Sequence, residues 1–255
     1  MSIELSVMTD TATATITETM PGAQVQAVQR GCNVYRLGRV GYAEAAVLQA
    51  GLVARRKLSQ IADSLLLLEH APVITWGRNS RAANLLSSPE LLACEGIELV
   101  QTNRGGDITF HGPGQLVGYP IICLDGIRKD VVWYVRTLEE VIIRALRETG
   151  IAAFRKPGMT GVWAERAGGP AKVAAIGVHI SRWVTSHGFA LNVDTDLGYY
   201  RHIVPCGIAE LPVTSVQELL GGSVDRPVIE DGVVRHFGEL FNLRMAESGL
   251  PESSS

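Results

Sequence analysis

The sequence predicts an α+β fold in one domain, with a mixed or antiparallel sheet flanked by helices. Three observations support this prediction. The chain has 255 residues and 46% hydrophobic content, which is enough to bury one large core. Short apolar runs typical of strands and amphipathic helical stretches follow one another without the regular alternation of a doubly wound fold. No internal repeat divides the chain.

The first half of the chain predicts an extension, one long helix and several short strands. Residues 1–30 are rich in Thr, Ala and Gln and show no sustained period, which indicates a disordered or loosely attached extension before a domain over 31–247. Apolar residues at helical spacing predict a helix over 41–57, and its basic end suits a helix C-terminus. The other elements predicted here are strands at 65–68, 73–76, 99–102 and 116–124 and a short helix at 89–94.

The second half begins with the clearest helix, predicted over 131–149. Its apolar residues recur on one face, and its charged residues are expected on the other face, where they include Glu139. A capping box from Ser215 to Glu218 starts a short helix, and a last helix opens at Asp225. The remaining predictions are strands at 162–164, 173–180 and 184–193, with the last two as a hairpin, and a flexible tail over 248–255.

Composition excludes several classes of function. A net charge of −3 and a charged fraction of 19% give no electrostatic footprint for nucleic acid or an anionic membrane. The four cysteines form no Cys-x-x-Cys pair, so neither a disulfide framework nor a metal site is predicted. Neither a signal peptide nor an apolar run of roughly 18 residues occurs, which predicts a soluble, cytoplasmic protein.

The run from Arg104 to Pro120 has the composition of a binding site. It combines five glycines and two prolines with one Arg, one Asp, one His and one Gln. Glycines let a ligand approach the main chain closely and leave N–H groups free to bind it. The alternative is a glycine-rich hairpin between two strands. The run matches neither a P-loop nor a dinucleotide-binding fingerprint, so no cradle for a nucleoside triphosphate is evident.

Cys206 is the cysteine best suited to nucleophilic chemistry. Pro205 and Gly207 favour a tight turn, which can present a thiol, although a packed thiol in a loop fits the same residues. The other cysteines, in apolar or peripheral contexts, are expected to be packed or incidental; they are Cys32, Cys94 and Cys123.

A reactive thiol also needs a partner that stabilises the thiolate. Residue types alone favour His202 or His111 as a base, with His179 and His187 as further candidates. Lys172 alone would read as a solvated lysine at the start of a strand.

A set of short motifs in a fixed order gives the chain a specific resemblance. The motifs are Leu68-Glu-His-Ala-Pro72 with Gly77-Arg78, the glycine-rich run, Thr160-Gly-Val-Trp163, Lys172-Val-Ala-Ala-Ile-Gly177, Ser186-His-Gly-Phe-Ala-Leu-Asn192 and Val204-Pro-Cys-Gly-Ile208. On these motifs the chain resembles the lipoate-protein octanoyltransferases, within the wider group of biotin and lipoate protein ligases. The resemblance implies the catalytic-domain fold of that group.

The resemblance also implies a mechanism and its residues. Cys206 would be the nucleophile and Lys172 its partner, because an ammonium group beside a thiol favours the thiolate. An octanoyl group would pass from acyl carrier protein to Cys206 and then to a lysine of a lipoyl domain in a 2-oxoacid dehydrogenase or the glycine cleavage H protein. No ATP, cofactor or metal is implied, and a monomer is expected. The residues implied in acyl-chain binding are Arg104, Gly105, Gly106, Asp107, Ile108, Thr109, Phe110, His111, Ala175, Ile176, Gly177, Gly188, Phe189 and Ala190.

Three other functions remain open at this point. An ATP-dependent lipoate or biotin ligase would share the fold, but its loop continues to His-Asp-x-Gly-Asn where this chain has His111-Gly-Pro-Gly-Gln115. A non-catalytic binding module would have no need of Cys206 and Lys172. A cysteine hydrolase would use the same acyl-enzyme but admit water. Arg78 and Arg155 are hypothesised to contact the acidic carrier protein.

Overall fold

The structure is a computed structural model that describes residues 29–205 and 212–249. Within these ranges the chain forms five α-helices and eleven strands. The helices are α1 (Tyr42–Lys57), α2 (Pro89–Cys94), α3 (Val131–Glu148), α4 (Val216–Leu220) and α5 (Arg226–Phe241). The strands are β1 (Arg30–Val40), β2 (Asp63–His70), β3 (Val73–Trp76), β4 (Glu98–Gln101), β5 (Thr109–His111), β6 (Gln115–Ile121), β7 (Ala153–Lys156), β8 (Met159–Ala164), β9 (Ala171–Ser181), β10 (Val184–Asn192) and β11 (Leu243–Glu247).

The larger sheet is mixed and has eight strands in the order β11-β1-β2-β6-β10-β9-β8-β7. Strand β1 runs parallel to both β11 and β2, and the other pairs are antiparallel. Alternate side chains of β2 enter opposite cores, since successive side chains of a strand point to opposite faces. Leu65 and Leu67 join the core formed with α3 and α5, whereas Leu66 and Leu68 join the core formed with α1. The continuous apolar run in the sequence therefore marks a strand covered on both faces.

The smaller sheet has the order β4-β3-β5 and packs with α2 around Ile74, Leu92 and Phe110. This sheet determines where the glycine-rich run lies. The run contributes β5 to the smaller sheet, where β5 pairs with β3, and β6 to the larger sheet, where β6 pairs with β2 and β10. Because β5 and β6 lie in different sheets, the run joins the two sheets and is not a simple hairpin.

The α+β class, the mixed sheet and the predicted helices are confirmed. The β9–β10 hairpin also forms as predicted. Four strands were missed, namely β1, β5, β7 and β11. Their sequences are short or interrupted by polar residues and glycine: β1 carries three arginines and β5 has only three residues. Residues 1–28 of the predicted extension lie outside the described residues. Residues 250–255 of the predicted tail also lie outside them.

The prediction that Glu139 lies on the exposed face of α3 was wrong. Its side chain is fully buried and accepts hydrogen bonds from Arg136 Nη1 at 2.7 Å and Gly161 N at 3.0 Å, with Arg155 Nε at 3.2 Å. A buried carboxylate is tolerated when charged and backbone donors surround it. Glu139 therefore connects α3 to β8.

Asp63, at the start of β2, connects four parts of the fold. Its buried carboxylate accepts hydrogen bonds from Arg30 Nη2 at 2.6 Å, Arg56 Nε at 2.7 Å and Cys123 N at 2.9 Å. These donors come from β1, α1 and the segment after β6.

We expect Asp63→Ala to lower the free energy of unfolding by about 3 kcal/mol, because the substitution leaves two partly buried guanidinium groups and a backbone donor without their acceptor. Urea unfolding measures the change. Asp125→Ala is the control, since Asp125 pairs with Lys129 in an exposed site and its loss is expected to cost no more than about 0.5 kcal/mol. Equal effects of the two substitutions would contradict this view of Asp63.

Candidate active site

Arg104 is buried between the two sheets and holds the start of the glycine-rich run. Its guanidinium donates to Thr75 Oγ1 from Nε at 3.1 Å and to Thr75 O from Nη2 at 2.7 Å. The glycines around it are required by close approach: a Cβ on Gly77 would lie 2.7 Å from Arg104 Nη1, and a Cβ on Gly177 would lie 2.9 Å from Gly105 O. The run is thereby held directly against β9.

A small cavity of about 50 Å³ lies between the glycine-rich run and the β9–β10 hairpin. It is lined by every residue predicted to bind the acyl chain except Gly105 and Phe110. Gly105 lies behind the wall, where its N–H donates to Val178 O at 2.9 Å. Phe110 points into the core of the smaller sheet and stacks on Tyr199 with ring centroids 4.6 Å apart. We call this cavity the acyl slot, after the role that the resemblance implies for its lining residues.

Three aromatic residues that the sequence analysis did not assign to this cavity also line it, namely Tyr42, Tyr119 and His187. His187 has a left-handed backbone with φ of 54°. Its N–H donates to Gln49 Oε1 at 2.8 Å, and its Nε2 lies 2.7 Å from Asn103 Oδ1. A non-glycine residue held at positive φ by distant partners is a signal that sequence patterns do not carry.

The imidazoles around the acyl slot are neutral near pH 7. Burial, aided by the Arg104 charge, lowers the pKa of His187 to about 4. Burial and the neighbouring His70 and Arg104 hold the pKa of His111 well below its ordinary value. Nδ1 of His111 lies 2.8 Å from Gln115 Oε1, so this hydrogen bond helps to fix the loop.

Lys172 lies on β9 with its side chain buried across β8. Its Nζ lies 5.0 Å from the centroid of the Trp163 ring, a cation–π contact. Gly161, with φ of 120°, makes room for it: a Cβ there would lie 3.3 Å from Lys172 Cε and 2.6 Å from Ala174 O. Lys172 is therefore held in place by its surroundings and is not the solvated lysine that residue types alone indicate.

Cys206 lies outside the described residues, but the segments on either side of it are placed. Before it, Val204 N donates to Asn84 O at 2.8 Å, and Pro205 lines a small cavity together with Lys172. After it, Lys172 N donates to Pro212 O at 2.9 Å, and Thr214 N donates to Lys172 O at 3.0 Å. Both segments thus converge on the neighbourhood of Lys172.

A chain of side-chain hydrogen bonds connects the glycine-rich run to the same neighbourhood. Gln115 Nε2 donates to Asn192 Oδ1 at 2.9 Å, and Asn192 Nδ2 donates to Thr214 O at 3.0 Å. Tyr200 OH also donates to Asn192 Oδ1, at 3.2 Å. Asn192 and Tyr200 line the small cavity that holds Lys172 and Pro205. Sequence reasoning gave no role to this network.

Two of the alternative bases, His202 and His179, lie outside both cavities that Lys172 lines. His202 is buried with Nδ1 2.8 Å from Ser87 Oγ and Nε2 3.2 Å from Glu95 Oε2. His179 lines a larger cavity of about 730 Å³ over one face of α1, which Lys172 does not line. The other cysteines do not line either cavity that Lys172 lines. Cys32 is fully buried, Cys123 is half-buried and Cys94 is exposed.

Two further features concern the described residues alone. Over residues 29–205 and 212–249, no cluster of three or more His, Cys, Asp or Glu side chains is arranged to hold a metal ion. Over the same ranges, no helix combines the length and apolar character needed to cross a membrane.

The sequence matches the lipoyl protein ligase A/B catalytic domain over residues 41–238. It is 54% identical to an octanoyltransferase of Koribacter versatilis, over 82% of this chain and 83% of that protein. It is 52% identical to an octanoyltransferase of Solibacter usitatus, over 85% of this chain and 96% of that protein.

Solved structures share the fold at much lower identity. A bipartite lipoate protein ligase of Thermoplasma acidophilum superposes with a TM-score of 0.71 at 17% identity, over 88% of each chain. A lipoate-protein ligase A bound with ATP gives a TM-score of 0.70 at 17% identity, over 87% of this chain and 90% of that chain.

The match over residues 41–238 and the close relatives show the class: the chain belongs to the lipoyl protein ligase A/B catalytic-domain family. Within the family its sequence groups with the octanoyltransferases, so the protein is an acyltransferase.

We expect Gly161→Ala to reduce acyl transfer by about 10²-fold, because the added Cβ would lie 2.6 Å from Ala174 O and 3.3 Å from Lys172 Cε. Strand β8 would have to shift against β9 beside Lys172, and misplacements of this kind have effects of that size. Gly169→Ala is the matched control: Gly169 has a similar φ of 102°, but a Cβ there meets nothing within 4 Å. Both substitutions are expected to cost about 1–3 kcal/mol of backbone strain, and Gly161→Ala is expected to cost more because of the contact with Ala174 O. Steady-state rates beside urea unfolding separate the two effects, and equal rate losses would contradict the proposed contact.

The low pKa of His187 predicts loss of stability in acid. The unfolded chain binds a proton near pH 6.5 and the folded chain near pH 4, so the unfolded state binds more protons between these values and the free energy of unfolding falls as pH drops. Asparagine tolerates positive φ and does not titrate in this range. We therefore expect His187→Asn to reduce the fall in the free energy of unfolding between pH 7.5 and 4.5 by about 2 kcal/mol. Urea unfolding at both pH values tests this; an unchanged pH dependence would contradict it.

Proposed function

We propose that the protein transfers an octanoyl group from octanoyl-acyl carrier protein to a lysine of lipoyl domains, through a thioester on Cys206 with Lys172 as its partner. The acceptors would be the lipoyl domains of 2-oxoacid dehydrogenases and the glycine cleavage H protein, and the setting the cytoplasm. The observation that most supports the proposal is the position of Lys172. Lys172 lies next to residues of the acyl slot. It also lines a second small cavity, and Pro205, the residue directly before Cys206, lines that second cavity too.

The proposed reaction has two steps. In the first, the Cys206 thiolate attacks the donor carbonyl, the new C–S bond forms, and the carrier's thiolate leaves and takes up a proton. In the second, the ε-amine of the acceptor lysine attacks the acyl-enzyme, the bond to Cys206 breaks, and the amine loses a proton. A thioester is converted into an amide, which is downhill, so the reaction needs no ATP.

The surroundings of Lys172 support its role as an electrostatic partner. An ammonium group held close to a thiol favours the thiolate. The side chain is 8% exposed, and charge interactions are stronger where water is excluded. Its position is fixed through Gly161, Trp163 and the backbone bonds to residues 212 and 214.

The acyl slot supports an apolar chain as the group transferred. Its inner wall is formed by small and apolar residues, with Ala175, Ile176, Gly177 and Ala190 among them. Two of its polar groups are engaged by residues outside the slot, since Arg104 donates to Thr75 and His111 bonds to Gln115. Backbone N–H groups of the glycine-rich run lie near the slot, where such donors can stabilise a tetrahedral oxyanion.

Of the two arginines hypothesised to meet the carrier protein, Arg78 is the better supported. Arg155 already donates to Glu140 at 2.6 Å and to Arg136 O at 3.0 Å. Arg78 is exposed and forms no ion pair with a carboxylate of the described residues.

Intact-protein mass spectrometry with octanoyl-carrier protein, without ATP, tests the proposal. We expect the parent protein to gain one octanoyl group and to pass it to added apo lipoyl domain. Cys206→Ser should gain none, and Lys172→Ala should gain it about 10²- to 10⁴-fold more slowly. Lys156→Ala is the matched control, because Lys156 Nζ also lies 5.0 Å from the Trp163 ring without lining the cavities of Lys172.

Other outcomes would favour the alternatives. Acylation only after ATP and free octanoic acid are supplied would favour a ligase. Release of octanoic acid with apo lipoyl domain present would favour a hydrolase. No acylation under either condition would favour a binding module.

A further inference from the structure

A polar cavity of about 440 Å³ is lined in part by Lys172. It shares Gly106, Asp107 and Ile176 with the acyl slot, so the two cavities are contiguous. A volume of this size lies within the range of about 300–1,000 Å³ that small-molecule sites occupy. The proposed acyl transfer uses the slot for the chain and leaves this cavity without an assigned ligand.

The cavity wall is rich in neutral hydrogen-bonding groups. Asn79, Asn84 and Thr160 contribute two amides and one hydroxyl. Asn84 Nδ2 donates to Asp107 Oδ2 at 2.5 Å, and Asp107 Oδ1 accepts from Ile108 N at 2.7 Å. The one carboxylate in the wall is therefore already bound by neutral donors.

Arg81 completes the wall at its exposed edge. Its side chain forms no ion pair with any carboxylate in the part of the chain that the structure describes. Together with Lys172 it gives the cavity two cationic groups, one deep and one at the mouth, against the single carboxylate of Asp107. An exposed guanidinium with no anionic partner at the mouth of a polar cavity suits a phosphate, which arginine binds through paired N–H donors.

The geometry of a thioester donor divides it between the two cavities. With the acyl chain in the slot and the carbonyl beside Lys172, the leaving group extends away from the slot. The leaving group of a carrier-bound thioester is a phosphopantetheine arm, which has two amides along its length and a phosphate at its far end. The amides correspond to the neutral groups of the wall, and the phosphate corresponds to Arg81.

We propose that this cavity binds the phosphopantetheine arm of the thioester donor and that Arg81 binds its phosphate. The inference rests on the proposed function, since it needs a thioester donor. Carrier protein and coenzyme A present the same arm, so the chemistry recognised is that of a phosphopantetheine thioester, whichever source supplies it. Arg81 is a substrate-binding residue in this proposal.

The test compares acylation of the enzyme by S-octanoyl-pantetheine and by S-octanoyl-4′-phosphopantetheine, in the parent protein and in Arg81→Ala. We expect the phosphate to raise the second-order rate of acylation about tenfold in the parent, as a charge-assisted hydrogen bond at a solvent-exposed edge would. In Arg81→Ala the two thioesters should acylate the enzyme at equal rates, and the rate with S-octanoyl-pantetheine should be that of the parent. Arg81→Lys should restore part of it, and added salt should reduce it.

The control is Arg147→Ala, which removes another exposed arginine, on α3 and outside the cavity. A phosphate effect that is equal in the parent and in Arg81→Ala would overturn the proposal while the acyl transfer itself stands. Failure of every thioester to acylate the parent would overturn the proposed function and this inference together. Octanoyl-carrier protein and octanoyl-coenzyme A complete the series of donors. If Arg81→Ala slows acylation by both donors, the result supports one shared site. If it slows acylation by octanoyl-coenzyme A alone, the cavity does not bind the arm of the carrier protein.

Discussion

The backbone hydrogen bonds between Lys172 and the segment after residue 211 are the constraint on which the rest of the site depends. Lys172 N and O bond to Pro212 O and Thr214 N, so one residue of β9 is fixed on both sides by the same stretch of chain. The stretch before residue 206 is fixed separately, through Val204 to Asn84. A nucleophile and its partner that are far apart in sequence need such anchors, since productive geometry tolerates errors of only a fraction of an ångström.

The same constraint extends through buried polar groups into the glycine-rich run. The Asn192 side chain accepts a hydrogen bond from Gln115 and donates one to Thr214 O. The glycine-rich run and the segment beside Lys172 therefore share one network. Glu139 fixes β8 from behind at Gly161, under the Lys172 side chain. Networks of this kind are stable only when their members are satisfied, which explains why so many polar residues lie at the junction of two apolar cores.

Much of the fold could be predicted from local pattern. The run Leu65–Leu68 predicted a strand, and the amphipathic spacing predicted α3. Strand β1 escaped because its arginines and Gly38 break any alternation, and Glu139 was misplaced because burial of a carboxylate depends on donors from elsewhere in the fold, such as Gly161. At the site, composition pointed to the glycine-rich run, but Lys172 was found only through resemblance, since its burial depends on how Trp163 and Gly161 of the neighbouring strand pack against it.

The polar cavity at Lys172 has a consequence for the order of events. Under the proposed mechanism the donor's arm and the acceptor's lysine must reach the same sulfur by the same route, and a space of about 440 Å³ does not hold both. The two macromolecules are therefore obliged to take turns, and the enzyme itself stores the acyl group between their visits. Under that mechanism, an excess of either partner would slow turnover by occupying the entrance, with no change in the shape of the protein.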